Sequence, residues 1–102
     1  MTFHQAIKLS EFPETGVAKA TVGGKEYVLI RIGSSYFAMD GLCSHSEGEL
    51  GDGAMTGDWL VCPIHEGRFD PRTGKANPED DWVSDLKSYL TKVEQEFVWI
   101  DL

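Results

Sequence analysis

Long apolar runs are missing from this 102-residue chain, and no stretch approaches the roughly 20 residues that a membrane-spanning helix needs. The first residues, Met1-Thr2-Phe3-His4-Gln5, offer neither a charged nor an apolar leader region, so neither export nor membrane insertion is expected. Positive charge is scarce as well. Nine Lys and Arg stand against seventeen Asp and Glu, for a formal net charge of −8. That balance argues against a nucleic-acid backbone or an anionic membrane as the main partner and favours proteins with basic patches. Cysteine is nearly absent, with Cys43 and Cys62 alone, too few for the disulfide lattice of a small secreted scaffold. In a reducing cytoplasm, the expected location, such a pair is better suited to chemistry than to bridging. Internal repeats, low-complexity tracts and Pro- or Ser-rich linkers are also lacking, and no persistent 3.6-residue apolar stripe occurs. One all-β domain over residues 1–102 is the expectation.

What the chain does contain is short β-branched and aromatic segments punctuated by glycine. Thr15 to Val22 and Lys25 to Ile32 flank Gly23-Gly24, a two-residue hairpin signal, and Gly33-Ser34-Ser35 turns into Tyr36-Phe37-Ala38-Met39. Leu86 to Val93 and Phe97 to Leu102 form a second expected hairpin around Glu94-Gln95-Glu96. Between these β-rich ends, Asp40 to Asp85 carries most of the glycines, both cysteines and two of the three histidines. Its best helical signal is one short acidic turn, Pro78-Glu79-Asp80-Asp81-Trp82.

The chemistry is concentrated in two boxes, Cys43-Ser44-His45 and Cys62-Pro63-Ile64-His65, separated by sixteen residues. Each offers one thiolate and one imidazole, an S₂N₂ set that suits tetrahedral zinc or an iron–sulfur centre of mixed ligation. Zinc modules usually pair like ligands on each turn, whereas a binuclear cluster lets every loop give its sulfur to one iron and its nitrogen to the other. A structural zinc module that only binds a partner stays open as an alternative.

The second box continues as Glu66-Gly67-Arg68-Phe69-Asp70, and Leu50, Gly53, Gly57 and Asp58 lie between the boxes. With these residues and Arg72-Thr73-Gly74, the chain resembles the Rieske [2Fe-2S] family, in particular the small ferredoxins that serve bacterial ring-hydroxylating dioxygenases. The resemblance implies stacked antiparallel sheets with a small cluster-binding subdomain of loops at about residues 40–80, and one [2Fe-2S] cluster as cofactor. It further implies Cys43 and Cys62 on the buried iron, His45 and His65 on the outer iron, and Pro78 in a third, shielding loop. With every iron position filled by protein, no site is left for a substrate. The implied role is a low-potential, one-electron carrier between a flavin-dependent or ferredoxin reductase and a terminal oxygenase, not an enzyme acting alone. A Rieske-like small subunit of a larger reductase complex is the other reading within this resemblance.

Departures from the respiratory and photosynthetic members of the family are informative. Gly48 and Ile64 stand where those proteins carry an extra cysteine pair, and Gly67 and Phe69 where they carry a serine and a tyrosine. Glu47, Glu49 and Glu66 make the ligand loops acidic. The run Glu79-Asp80-Asp81 reads as solvated surface, His4 as surface decoration, and Trp59, Trp82 and Trp99 as core aromatics.

Overall fold

The computed structural model describes residues 2–42, 48–64 and 66–102. The strongest strand former, Lys25–Ile32, becomes its centre because both of its faces can be buried: Val28 and Ile30 point one way, Tyr27 and Leu29 the other. In chain order the strands are β1 (Phe3–Lys8), β2 (Val17–Val22), β3 (Lys25–Ile32), β4 (Ser35–Asp40), β5 (Ala54–Thr56), β6 (Trp59–Val61), β7 (Arg68–Phe69), β8 (Ser88–Tyr89), β9 (Thr91–Glu94) and β10 (Phe97–Asp101). They form three sheets, ordered β2-β3-β4-β8, β1-β10-β9 and β5-β6-β7, and all their pairings are antiparallel.

The four-stranded sheet is the middle layer. Ala18, Ala20, Tyr27, Leu29 and Ala38 pack with Val98 and Ile100 of β10, together with Phe12. On the opposite face Val17, Val28, Ile30 and Met39 pack with Leu50, Leu60, Cys62, Phe69 and Leu86. This second core ties the smallest sheet, with its cysteine, to the rigid centre.

The expected all-β fold of stacked antiparallel sheets is what forms, with four local differences. The insertion expected as loops contains the sheet β5-β6-β7, whose strands of two or three residues are too short to leave a period in the sequence. Leu86 to Val93 is not one strand. It breaks at Leu90, so that Ser88–Tyr89 pairs with β4 while Thr91–Glu94 pairs with β10, and one segment serves two sheets. The turn into β10 is Gln95-Glu96 alone, both at positive φ (53° and 68°), with Glu94 kept in the strand. Pro78 to Trp82 forms consecutive turns without a helix, because the Asn77 side-chain oxygen takes the Glu79 amide and Arg68 draws the Asp80 carboxylate inward. Among the described residues two 3₁₀ turns, Leu9–Glu11 and Leu50–Asp52, complete the regular structure, and no helix is long and apolar enough to cross a membrane.

Candidate metal centre

Strands β6 and β7 pair Leu60 with Phe69 and Val61 with Arg68, which makes Cys62 to Gly67 the loop of a hairpin. Two backbone hydrogen bonds close that loop: the Cys62 N–H donates to the Gly67 carbonyl at 2.8 Å, and the Glu66 N–H donates to the Cys62 carbonyl at 3.1 Å. Glu66 adopts φ +62° to complete the turn. Pro63, Ile64 and Glu66 face outward, whereas Cys62 is fully buried and unbridged, packed in the core with Leu50, Leu60 and Phe69.

The first box is anchored at its base in a comparable way. Leu42 and Glu49 form a bridge across it, the Leu50 N–H donates to the Gly41 carbonyl at 2.8 Å, and the Gly41 N–H donates to the Glu26 carbonyl at 3.1 Å. The two loops meet at Gly48. A β-carbon built there would lie 2.9 Å from the Cys62 Sγ and 2.5 Å from the Ile64 Cγ1, so the first loop returns across the thiol at a distance only glycine permits. Gly48 and Ile64, singled out in the sequence for the absence of cysteine, are thus neighbours in space.

Of the four expected ligands, Cys62 is described; Cys43, His45 and His65 lie outside the described residues, as does Glu47. Among the described residues no three His, Cys, Asp or Glu side chains gather to hold a metal ion, since three of the expected ligands are not among them. The test of fit therefore rests on Cys62. A buried, unbridged sulfur at the head of a closed turn, with the Gly48 backbone laid against it, suits a thiolate ligand of a compact cluster.

The charges around the loops are arranged by specific contacts. Lys19 pairs with Asp52 at 2.7 Å and Glu49 at 3.7 Å. Burial and the adjoining Glu49 carboxyl push Glu26 above the ordinary carboxylate range. Asp40, at the end of β4 leading into the first box, accepts from the Tyr89 hydroxyl at 2.6 Å and pairs with Lys25 at 2.9 Å. Burial alone would raise its pKa, but these two hydrogen bonds outweigh it and hold the group below its usual value.

Asp80 corrects the expectation of a solvated acidic run. Glu79 and Asp81 are exposed, but Asp80 is only 8% exposed. Its carboxylate accepts the Arg68 backbone N–H at 2.9 Å, the Arg68 Nε at 3.0 Å and the Arg68 Nη2 at 3.0 Å. The Arg68 side chain holds it below the usual carboxylate range. No sequence signal marks this pair, because its members lie twelve residues apart and the flanking acids are indistinguishable from it. The tryptophans depart from expectation too: Trp59 and Trp99 are half-buried, and Trp82 is 47% exposed, its ring edge lying over Gly67. His4 is exposed on β1, as expected.

Comparison with known proteins agrees with this geometry. The Rieske [2Fe-2S] domain family matches residues 2–89. The ferredoxin component of the naphthalene 1,2-dioxygenase system of Pseudomonas aeruginosa is 39% identical over 97 residues, covering 95% of this chain and 92% of its own. Among solved structures, the ferredoxin of carbazole 1,9a-dioxygenase from Nocardioides aromaticivorans IC177 superposes with a TM-score of 0.86 at 28% identity, over 98% of this chain and 97% of that one. The Sphingomonas yanoikuyae B1 ferredoxin has the same fold, with a TM-score of 0.87 at 24% identity and 99% of both chains covered. On the family match and the naphthalene relative together, this chain belongs to the Rieske [2Fe-2S] domain family, and its cofactor is one [2Fe-2S] cluster.

Proposed function

We propose that Cys43, His45, Cys62 and His65 hold the cluster, and that the chain carries single electrons from a flavin-dependent or ferredoxin reductase to a terminal oxygenase. Residues 1–102 act as one domain, with the cluster-binding part at about 40–80. The observation that carries the ligand set is the closure of the second box around the buried Cys62 sulfur, with Gly48 of the first loop laid against it. The relatives named as ferredoxin components of dioxygenase systems support the carrier role over a subunit of a larger reductase or a zinc module.

When bound, the cluster supplies one-electron transfer at a potential that imidazole ligation raises above that of all-cysteine ferredoxins. The chain's own residues do the rest. The Cys62 turn keeps one sulfur dry, and the core of Leu50, Leu60 and Phe69 beneath it excludes water from that side. Glu66, Glu79 and Asp81 surround the second box and the loop beside it with exposed negative charge, which favours partners presenting basic patches. With Cys43 and Cys62 as thiolates and His45 and His65 neutral, these ligands would balance the charge of an oxidised cluster and leave the protein at a formal −8, to which one electron would add a single negative charge. A cytoplasmic location suits this role, since thiols stay reduced there and both cysteines remain available as ligands.

The test is direct. Anaerobically purified protein should contain two irons and two sulfides per chain and give a rhombic spin-resonance signal after dithionite. Cys43→Ser, Cys62→Ser, His45→Ala and His65→Ala should each abolish that signal, and His4→Ala should leave it unchanged. A colourless protein holding zinc, or a signal that survives loss of Cys62, would overturn the reading.

A further inference from the structure

Asp80 lies outside both ligand boxes, yet it is joined to Cys62 through one peptide group. The peptide linking Gly67 to Arg68 offers its N–H to the Asp80 Oδ2 at 2.9 Å and its carbonyl to the Cys62 N–H at 2.8 Å. A carboxylate on the N–H side polarises such a peptide and strengthens the bond its carbonyl accepts, because hydrogen bonds in series reinforce one another where water is excluded. The same carboxylate grips the Arg68 guanidinium at two points, which fixes the loop from Asn77 to Val83 against the second box.

That loop covers one flank. A β-carbon built on Gly67 would meet the Val83 Cγ1 at 3.2 Å and the Trp82 ring edge at 3.4 Å. Three backbone bonds hold the loop in shape: Asn77 N–H to the Arg68 carbonyl at 2.8 Å, Asp80 N–H to the Asn77 carbonyl at 2.8 Å, and Val83 N–H to the Asp80 carbonyl at 3.2 Å. Asp80 takes part in two of the three, and its side chain makes three further hydrogen bonds to Arg68 of β7, beside a longer 3.9 Å contact from the exposed Glu79.

We infer that Asp80 is a positioning residue for the redox centre: through the Gly67–Arg68 peptide it holds the Cys62 turn closed, and through Arg68 it keeps the 77–83 loop over the flank of the cluster. The inference rests on Cys62 being a cluster ligand. Loosening the loop admits water, and water favours the reduced, more negative state, so the midpoint potential rises. Charge acting through space predicts something else: losing a carboxylate raises the potential, but losing a guanidinium lowers it.

The experiment compares Asp80→Ala, Asp80→Asn and Arg68→Gln in the cluster-bearing protein by redox titration and by amide hydrogen exchange over residues 62–68. Asp80→Ala and Arg68→Gln should both raise the midpoint. Exchange in the segment should quicken by roughly tenfold or more in Asp80→Ala, the loss of one charge-assisted hydrogen bond. Asp80→Asn keeps an acceptor for the Arg68 N–H and should retain most of the protection, and it also serves if the alanine variant does not fold. Shifts of opposite sign for Asp80→Ala and Arg68→Gln, unchanged potentials, or exchange as fast in Asp80→Asn as in Asp80→Ala would overturn the inference. Wild-type protein without the [2Fe-2S] signature would defeat the ligand assignment, and the exchange data would still decide the Asp80 relay.

Discussion

Adding a single methyl group at Gly48 tests whether the two ligand loops must touch. In Gly48→Ala the new Cβ starts 2.5 Å from the Ile64 Cγ1 and 2.9 Å from the Cys62 Sγ, whereas ordinary contact begins near 3.4 Å. The two clashes have different remedies. Ile64 is 55% exposed and can swing into solvent; the Cys62 sulfur is fully buried and its turn is closed at both ends, so it has nowhere to go. Overpacking of this kind costs about 1–3 kcal/mol, and for a chain of this size each kilocalorie lowers a thermal midpoint by roughly 4–8 °C. The assay is iron and sulfide content with the temperature of visible bleaching. Gly48→Ala should load poorly or bleach early, and adding Ile64→Ala should recover part of the loss, because it removes one clash and leaves the sulfur. Gly57→Ala is the control: at φ +60° with open space around it, it strains the β5–β6 turn and should leave loading intact. Wild-type loading and bleaching in Gly48→Ala, or complete recovery on adding Ile64→Ala, would refute the argument that the thiol is held under the first loop.

Electron transfer to a partner should slow as salt rises, since the screening length falls from about 10 Å at 0.1 M to about 3 Å at 1 M, and Glu66→Lys should slow it at low salt; rates indifferent to both would remove the acidic face from the docking account. The midpoint potential should lie in the lower part of the Rieske range of about −150 to +300 mV, and a value well above about +150 mV would overturn that expectation. Phe69→Tyr should raise it by at most roughly 65–130 mV if the new hydroxyl reaches a ligating sulfur, the equivalent of about 1.5–3 kcal/mol for a bond to a charged acceptor; lower stability at unchanged potential would mean that the hydroxyl is buried without an acceptor. Glu26→Gln should stabilise the protein at neutral pH by about 0.5 kcal/mol, roughly 2–4 °C. The folded-state pKa of Glu26 is raised, so its contribution is complete below the ordinary value of 4.5 and is lost as pH rises through the folded value. Urea titrations at pH 4 and pH 7 should therefore show the gain only at pH 7.

The parts of the fold legible in the sequence are those whose signals are local. The β2–β3–β4 meander announces itself through β-branched residues and the Gly23-Gly24 turn, and both Cys–His boxes set their expected ligands within three or four residues. Strand β1 is hidden because His4, Gln5 and Lys8 are exposed and its pairing with β10 is decided by residues at the far end of the chain. The break at Leu90 is equally illegible: Leu90 is apolar yet 67% exposed, and only the competition of two sheets for one segment explains it. The buried Asp80 and the exposed Trp82 exchange the places their residue types suggest, and each depends on what the second box brings against it, Arg68 for one and Gly67 for the other.

The pairing of β1 with β10, which sets Phe3 opposite Asp101, has a consequence for the order of assembly. Sheet contacts between chain neighbours form quickly, while contacts of large sequence separation wait on the slow search that closes a long loop. The central meander therefore forms first on the growing chain, and the ligand loops emerge next, before the final strand has been synthesised. The outer sheet, with Val98 and Ile100 as its plugs in the second core, closes last. The end that carries the second box and the closing strands lie against opposite faces of the same middle layer, so the box can fold against the sheet without meeting the strands that complete the protein.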